Sequence, residues 1–345
     1  QPHRSVSAEH GAGRDAEEEG VADLAACAGD GDCRGIHALS LRASSPRLRD
    51  ARRYGEAMTF NSNADVSGSG AKRRGPGGGA IAGGVGGLGA IAVILLSIFT
   101  GGDFTSLLTG QGSGGSQAGS ESEISQCDTG ADANANDDCR LAAGSLAINQ
   151  FWAQQVQGYR QPQLIIVDGS TSTACGTASN ATGPFYCPPE ETVYIDPTFF
   201  DVMRQQFGAD VGNLGQLYVL AHEYGHHIQQ ITGIFDQYPS NGTGPTSNGV
   251  RTELQADCFA GAWISAMTKQ TDASGVPFLQ APTESQVRDA LEAAAAVGDD
   301  RIQAQSGVVN PDTWTHGSSE QRQRWFATGY QSGVGACDTF AVSGR

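Results

Sequence analysis

Two histidines four residues apart, with a glutamate directly after the first, are the residues of this chain best placed to do chemistry: His222-Glu223-Tyr224-Gly225-His226. Side chains at i and i+4 of a helix share a face, so both imidazoles can reach one metal ion while the glutamate lies beside it. Zinc suits such a donor set, because a catalytic zinc takes three protein ligands and keeps a further position for water. The chemistry this spacing predicts is metal-assisted hydrolysis. Zn2+ would lower the pKa of its water to about 7 and polarise a carbonyl, and Glu223 would act as the general base.

Two histidines leave one ligand to find. In the stretch Arg251 to Met267, residues Ala256, Phe259, Ala260, Trp263, Ile264 and Met267 recur at helical spacing and leave Glu253 and Asp257 together on another face. Glu253 is read as the third metal ligand. Asp257 is read as the carboxylate behind the metal, accepting the far N–H of a ligand imidazole; exchanging the two is the alternative. His227 is rotated about 100° from His226 around the helix and is expected to make an ordinary polar contact instead. Gly225 permits close approach of a strand or substrate backbone, or simply closes helix packing. His316 is the remaining candidate catalytic residue, as a donor to the oxyanion opposite the metal. Ser318 and Gln321 form a capping box, so His316 also reads as no more than the residue ahead of a cap.

The elements that must carry these residues follow from periodicity. Leu214, Leu217, Leu220, Ala221 and Ile228 make an apolar stripe through the histidine pair, and Gly233 stands where that helix would stop. Further helices are predicted over 140–158, from Thr283-x-x-Gln286 to Val297, and from Ser318 onward; strands are predicted over 163–168 and 192–196. Gly298-Asp-Asp-Arg301 is read as a helix end and turn, with a second cation site as the alternative. The fold class is α+β: a small sheet whose edge strand lies beside the metal-bearing helix, and a helical half that closes the cleft. Such an edge could pair with an extended peptide.

Several segments together, Ala221 to Gln230, Glu253 to Ala262, Gly183-Pro-Phe-Tyr-Cys-Pro188, Val193-Tyr-Ile-Asp196 and Thr315-His-Gly-Ser-Ser-Glu-Gln-Arg322, resemble the neutral zinc metallopeptidase family of bacterial membrane proteins, the YpfJ type, from about Met58 to Cys337. The resemblance implies a zincin-like metallopeptidase fold, a single N-terminal membrane anchor and peptidase activity on a peptide or protein substrate.

Chain organisation is read around an uncharged tract. Residues 80–100 carry no charge and as a helix would reach about 31 Å, enough for a bilayer core. Lys72-Arg73-Arg74 precedes them and Asp103 follows, which predicts a single-pass transmembrane helix in the cell membrane with its basic end inside. Residues 58–79 then form a cytoplasmic leader, 101–125 a Gly/Ser linker, and 126–345 an extracytoplasmic zinc metallopeptidase domain. Residues 1–57 lack an apolar period and read as disordered, or as translated upstream sequence with Met58 as the start. Six of the eight cysteines follow the apolar tract, and the expected pairs are Cys127 with Cys139, Cys175 with Cys187, and Cys258 with Cys337. Residues 102–345 hold 10 Lys and Arg against 26 Asp and Glu, the whole of the net charge of −16, which argues against nucleic acid as a partner. The function expected is a membrane-anchored zinc-dependent peptidase. The alternative is a zinc-binding envelope module that works by protein–protein contact, which would need neither Glu223 nor an open coordination position.

Overall fold

The computed structural model describes residues 59–76, 120–209 and 211–341. It is a mixed α+β fold in which a five-stranded sheet packs on a group of helices. Strands β1 (Lys72–Arg74), β2 (Glu121–Glu123), β3 (Gln163–Val167), β6 (Phe185–Cys187) and β7 (Thr192–Ile195) lie in the order β2-β1-β3-β7-β6. The central pairs β1–β3 and β3–β7 are parallel; β2 and β6 are antiparallel edges. The apolar runs of β3 and β7 are covered on both faces, as central parallel strands require. Leu164, Ile166, Val193 and Ile195 face the helices, while Ile165, Val167 and Tyr194 pack beneath the hairpin of β4 (Ser170–Thr173) and β5 (Gly176–Ser179).

The helices are α1 (Gly130–Ala135), α2 (Asp137–Gln155), α3 (Phe199–Gln206), α4 (Asn213–Ile231), α5 (Ile234–Gln237), α6 (Asn248–Ala266), α7 (Glu284–Ala296), α8 (Asp299–Ala304) and α9 (Ser319–Ser332). Helix α4 runs through the centre, against α2, α6, α7 and the sheet. Its stripe of Leu214, Leu217 and Leu220 is fully buried, and truncating one of these to Ala costs about 2–5 kcal/mol. The capping boxes at Thr283 and Ser318 start α7 and α9 where the sequence places them. Helix α7 ends just ahead of Gly298 as expected, but Gly298 then opens the short helix α8 in place of the expected turn. Helices α6 and α9 meet almost backbone to backbone: a Cβ on Gly261 would overlap the Phe326 carbonyl, and one on Gly329 the Cys258 carbonyl. The disulfide Cys258–Cys337 joins α6 to the chain just after α9; Cys127–Cys139 and Cys175–Cys187 complete the expected set.

Chain organisation departs from the expectation at two places. Residues 59–76, expected as a leader apart from the domain, belong to it. Phe60, Ala64, Val66 and Ala71 are buried in the main core, and Asn134 Oδ1 accepts from the backbone N–H groups of Thr59 and Phe60 at 3.0 and 2.9 Å. The basic run Lys72-Arg73-Arg74 is itself β1, with Arg74 buried over the Tyr194 ring and donating to its hydroxyl. The end of the expected linker supplies β2, which pairs with β1. Burial of apolar side chains and ladder bonding outweigh the local signal of three adjacent cations. The predicted transmembrane helix over 80–100 and the extension 1–57 lie outside the described residues. Among the described residues, no helix is long and apolar enough to cross a membrane.

Candidate metal centre

Helix α4 presents His222, Glu223 and His226 on one face, and α6 presents Glu253 and Asp257 across from them. Ser247 caps α6, its hydroxyl accepting the Val250 N–H at 3.2 Å. The helices approach closely because position 225 has no side chain: a Cβ there would sit 3.0 Å from the Ala256 Cα. Of the two readings of Gly225, helix packing is the one the geometry supports.

The imidazoles stand nearly perpendicular, ring centres 4.8 Å apart. His222 Nε2 lies 3.1 Å from Glu253 Oε2, and His226 Nε2 3.5 Å from Glu253 Oε1. One donor atom from each of His222, His226 and Glu253 falls within 4.8 Å of the others, all three side chains being buried. The far nitrogens are also held. His222 Nδ1 lies 2.9 Å from Asp257 Oδ1, and His226 Nδ1 2.9 Å from Gln229 Oε1. Asp257 can only accept, and the Gln229 amide nitrogen is already spent on the Thr252 carbonyl and Gln255 Oε1 at 2.7 and 3.1 Å. Both Nδ1 atoms therefore carry a proton, so on each ring Nε2 is the nitrogen turned toward Glu253 and the one that can ligate a metal once any proton on it is displaced. Glu223 Oε2 is buried with no hydrogen-bond partner, as a group awaiting water or substrate would be. The donors fit a divalent cation of the zinc type, two imidazoles and one carboxylate.

Electrostatics set the protonation states. Burial alone would lower the pKa of His222, but Asp257 and then Glu253 outweigh it and raise it to about 10. Burial pushes Glu223 up from the usual carboxylate value, only partly opposed by the two histidines, toward the range useful to a base. Burial would raise Glu253 too, yet His226 and His222 hold it well below the usual range. Asp257 stays low against the same burial because of Arg322, whose Nε and Nη2 reach its two oxygens at 2.9 Å, and of His222. Tyr218 completes that network, donating its hydroxyl to Asp257 Oδ1 at 2.5 Å.

His316 lines the same cavity as Glu223 and Glu253. It is buried on a turn held by Asp299, whose Oδ2 accepts the backbone N–H groups of Thr315, His316 and Gly317 at 2.8, 2.6 and 2.9 Å. Asp299 Oδ1 lies 3.2 Å from His316 Nδ1, so Nε2 is the nitrogen left for the cavity. Gly317 has φ +90°, a conformation that suits glycine. Burial would lower the pKa of His316, and Asp299 more than reverses this. The protonated ring, a donor at both nitrogens, is thereby favoured.

His222, Glu223, His226, Glu253 and His316 thus line one cavity, with Asp257 buried behind His222. His227 stands apart, bonded to Tyr186 Oη at 3.0 Å and the Arg160 carbonyl at 2.7 Å. Sequence reasoning missed Gln229, Tyr218, Arg322 and Asp299. Gln229 lies one turn beyond His226 and was open to the same one-turn argument that found Asp257 beyond Glu253; Arg322 and Asp299 come from distant segments and carry no local signal.

The comparisons with known proteins agree with this geometry. Residues 55–340 match the family described as "Putative neutral zinc metallopeptidase", and the chain belongs to that family. It is 47% identical over 224 residues to an uncharacterized protein of Mycobacterium tuberculosis, Rv2575, covering 64% of this chain and 76% of that one. It is 42% identical over 272 residues to the uncharacterized protein YpfJ of Escherichia coli, covering 75% of this chain and 88% of that one. No solved structure matches.

Proposed function

We propose that the protein is a zinc-dependent peptidase that hydrolyses peptide bonds in the cavity between α4, α6 and the Thr315–Gly317 turn. The observation that carries this reading is the convergence of both Nε2 atoms on the Glu253 carboxylate, beside a buried Glu223 oxygen that has no partner. His222, His226 and Glu253 would hold the ion. Bound there, zinc would supply a Lewis acid that acidifies water and polarises a carbonyl. Glu223 takes the proton of the attacking water and delivers it to the departing amine, a task helped by its raised pKa. His316 Nε2 donates to the oxygen on which negative charge grows, and Asp299 aims that ring and favours its protonated form. Asp257 and Gln229 fix the ligand rings. Strand β6 pairs only with β7 among the described strands, and Gly183 and Pro184, which lead into it, line the cavity; an extended peptide along that margin suits the fold.

The domain works outside the cytoplasm and is held at the cell membrane by the apolar tract 80–100 in this reading. Three disulfides favour an oxidising compartment. Its acidic surface favours proteins over nucleic acid as partners. The test is zinc analysis of the purified full chain together with cleavage of a broad peptide panel by the parent and by Glu223→Gln. Zinc in both and cleavage by the parent alone is the expected result. Zinc in both with no cleavage by either sinks the peptidase in favour of a metal-holding interaction module.

A further inference from the structure

Beside the metal donors, the cavity lining has an apolar part: Val219, one turn before Glu223, with Pro184, Phe199, Phe207, Val297 and Ile302, which together make its apolar arm. The guanidinium in that lining, Arg322, is committed to Asp257, the Val297 carbonyl and Tyr218. A charged side chain entering this arm would lose its water and meet hydrocarbon; an aliphatic or aromatic one would exchange water for matched contacts. Resting on the peptidase reading, we propose that this arm is the recognition pocket for a bulky uncharged residue, of the Leu, Ile, Met or Phe kind, next to the bond that is cut.

The experiment uses the full chain with zinc and a quenched peptide library varied at each position around the cut. One flanking position is expected to prefer Leu or Phe over Asp by on the order of 100-fold in kcat/KM, since even one methylene in such a pocket can be worth about 10–200-fold. Ile302 is only partly buried, so Ile302→Asp is expected to fold, to lose that preference and to admit Lys. Cleavage without preference at any flanking position, or an unchanged preference in Ile302→Asp, overturns the proposal. Calorimetric binding of Leu- and Asp-bearing peptides to Glu223→Gln separates it from the peptidase reading. Leu-selective binding that Ile302→Asp abolishes upholds the pocket even if no peptide is cut, and equal or absent binding overturns it.

A second inference stands on the sheet alone. Strand β1 precedes the apolar tract and β2 follows it, yet the two pair antiparallel with Arg73 opposite Ser122, and β1 pairs in parallel with β3. The strands on either side of the tract are thus neighbours in one sheet. We infer that residues 59–76 and 120–209 occupy the same compartment. Ser67→Cys and Ser122→Cys, made singly in the full chain, test this in intact cells with a membrane-impermeant maleimide, the parent serving as blank. Equal labelling of both, or equal protection of both, is expected; labelling of one with protection of the other overturns the inference. The pair Arg73→Cys with Ser122→Cys is expected to cross-link, and absence of that bridge in chains whose Cys127–Cys139 bond is intact would also overturn it.

Discussion

His222 and His226 stand on α4, a helix gripped by α2, α6 and α7, and each ring has a second bond behind it, to Asp257 or Gln229. His316 faces them from a short turn that one carboxylate, Asp299, holds through three backbone N–H groups and the ring itself. One wall of the cleft is fixed by packed helices; the other is a turn on which Asp299 makes most of the side-chain bonds, helped by Thr315 Oγ1 at 2.9 Å from His316 Nδ1. The difference teaches that the wall of the metal donors has its support spread over several elements, whereas the His316 wall leans mainly on Asp299.

That contrast can be broken or sharpened by experiment. The largest effect belongs to the group between the walls: Glu223→Gln is expected to lower kcat by about 10²–10⁴-fold with zinc content unchanged, measured by steady-state hydrolysis and metal analysis. Next, Asp299→Asn is expected to cost about 10²–10³-fold in kcat and to match His316→Ala, with KM and zinc affinity barely moved. If Asp299→Asn loses zinc instead, the two walls are not independent. Asp257→Asn is expected to weaken zinc by about 10–100-fold in a competition titration and to leave hydrolysis at saturating zinc nearly intact. A smaller effect is a proton count. With the pKa of His222 raised to about 10, metal-free protein at neutral pH holds a proton that zinc must displace, so calorimetry in buffers of different ionisation enthalpy is expected to show its release.

The smallest effect is a pH dependence of stability at the second wall. Asp299 lies below its ordinary 3.8 in the folded chain because His316 and the turn amides outweigh burial. Its folded pKa is depressed, so its stabilising share is present above the unfolded value and fades as pH falls through the folded one. Denaturant melts are expected to show the gap between parent and Asp299→Asn constant above about pH 5 and closing below about pH 4.

The sequence was legible where chemistry and periodicity reinforce each other. His222 and His226 are tied by four-residue spacing, and Glu253 and Asp257 by one helical turn on a stretch whose apolar residues face the other way, so local geometry alone brings them together. Val193 and Ile195 share a face for the simpler reason that strand side chains alternate. Asp299 and Arg322 were not legible. Their roles arise from contacts across 17 and 65 residues, to His316 and Asp257 respectively, and a lone Asp at a helix start or Arg within a helix looks the same whether or not it serves a site. Lys72-Arg73-Arg74 misled because three cations before an apolar tract look like a membrane flank, whereas Arg74 finds Tyr194 and Glu121 in the folded sheet. Pairing partners distant in sequence decide such cases.

The glycine contact between α6 and α9, with the disulfide just beyond it, bears on how substrate gets in. Helices touching at their main chains have no intervening side chains to shift, so the wall carrying Glu253 can neither tilt nor slide without breaking atoms apart. If the chain is the peptidase proposed, the breathing that admits a peptide and releases the halves is expected on the Asp299 side, with amide exchange slowest along α6 and quickest around Thr315.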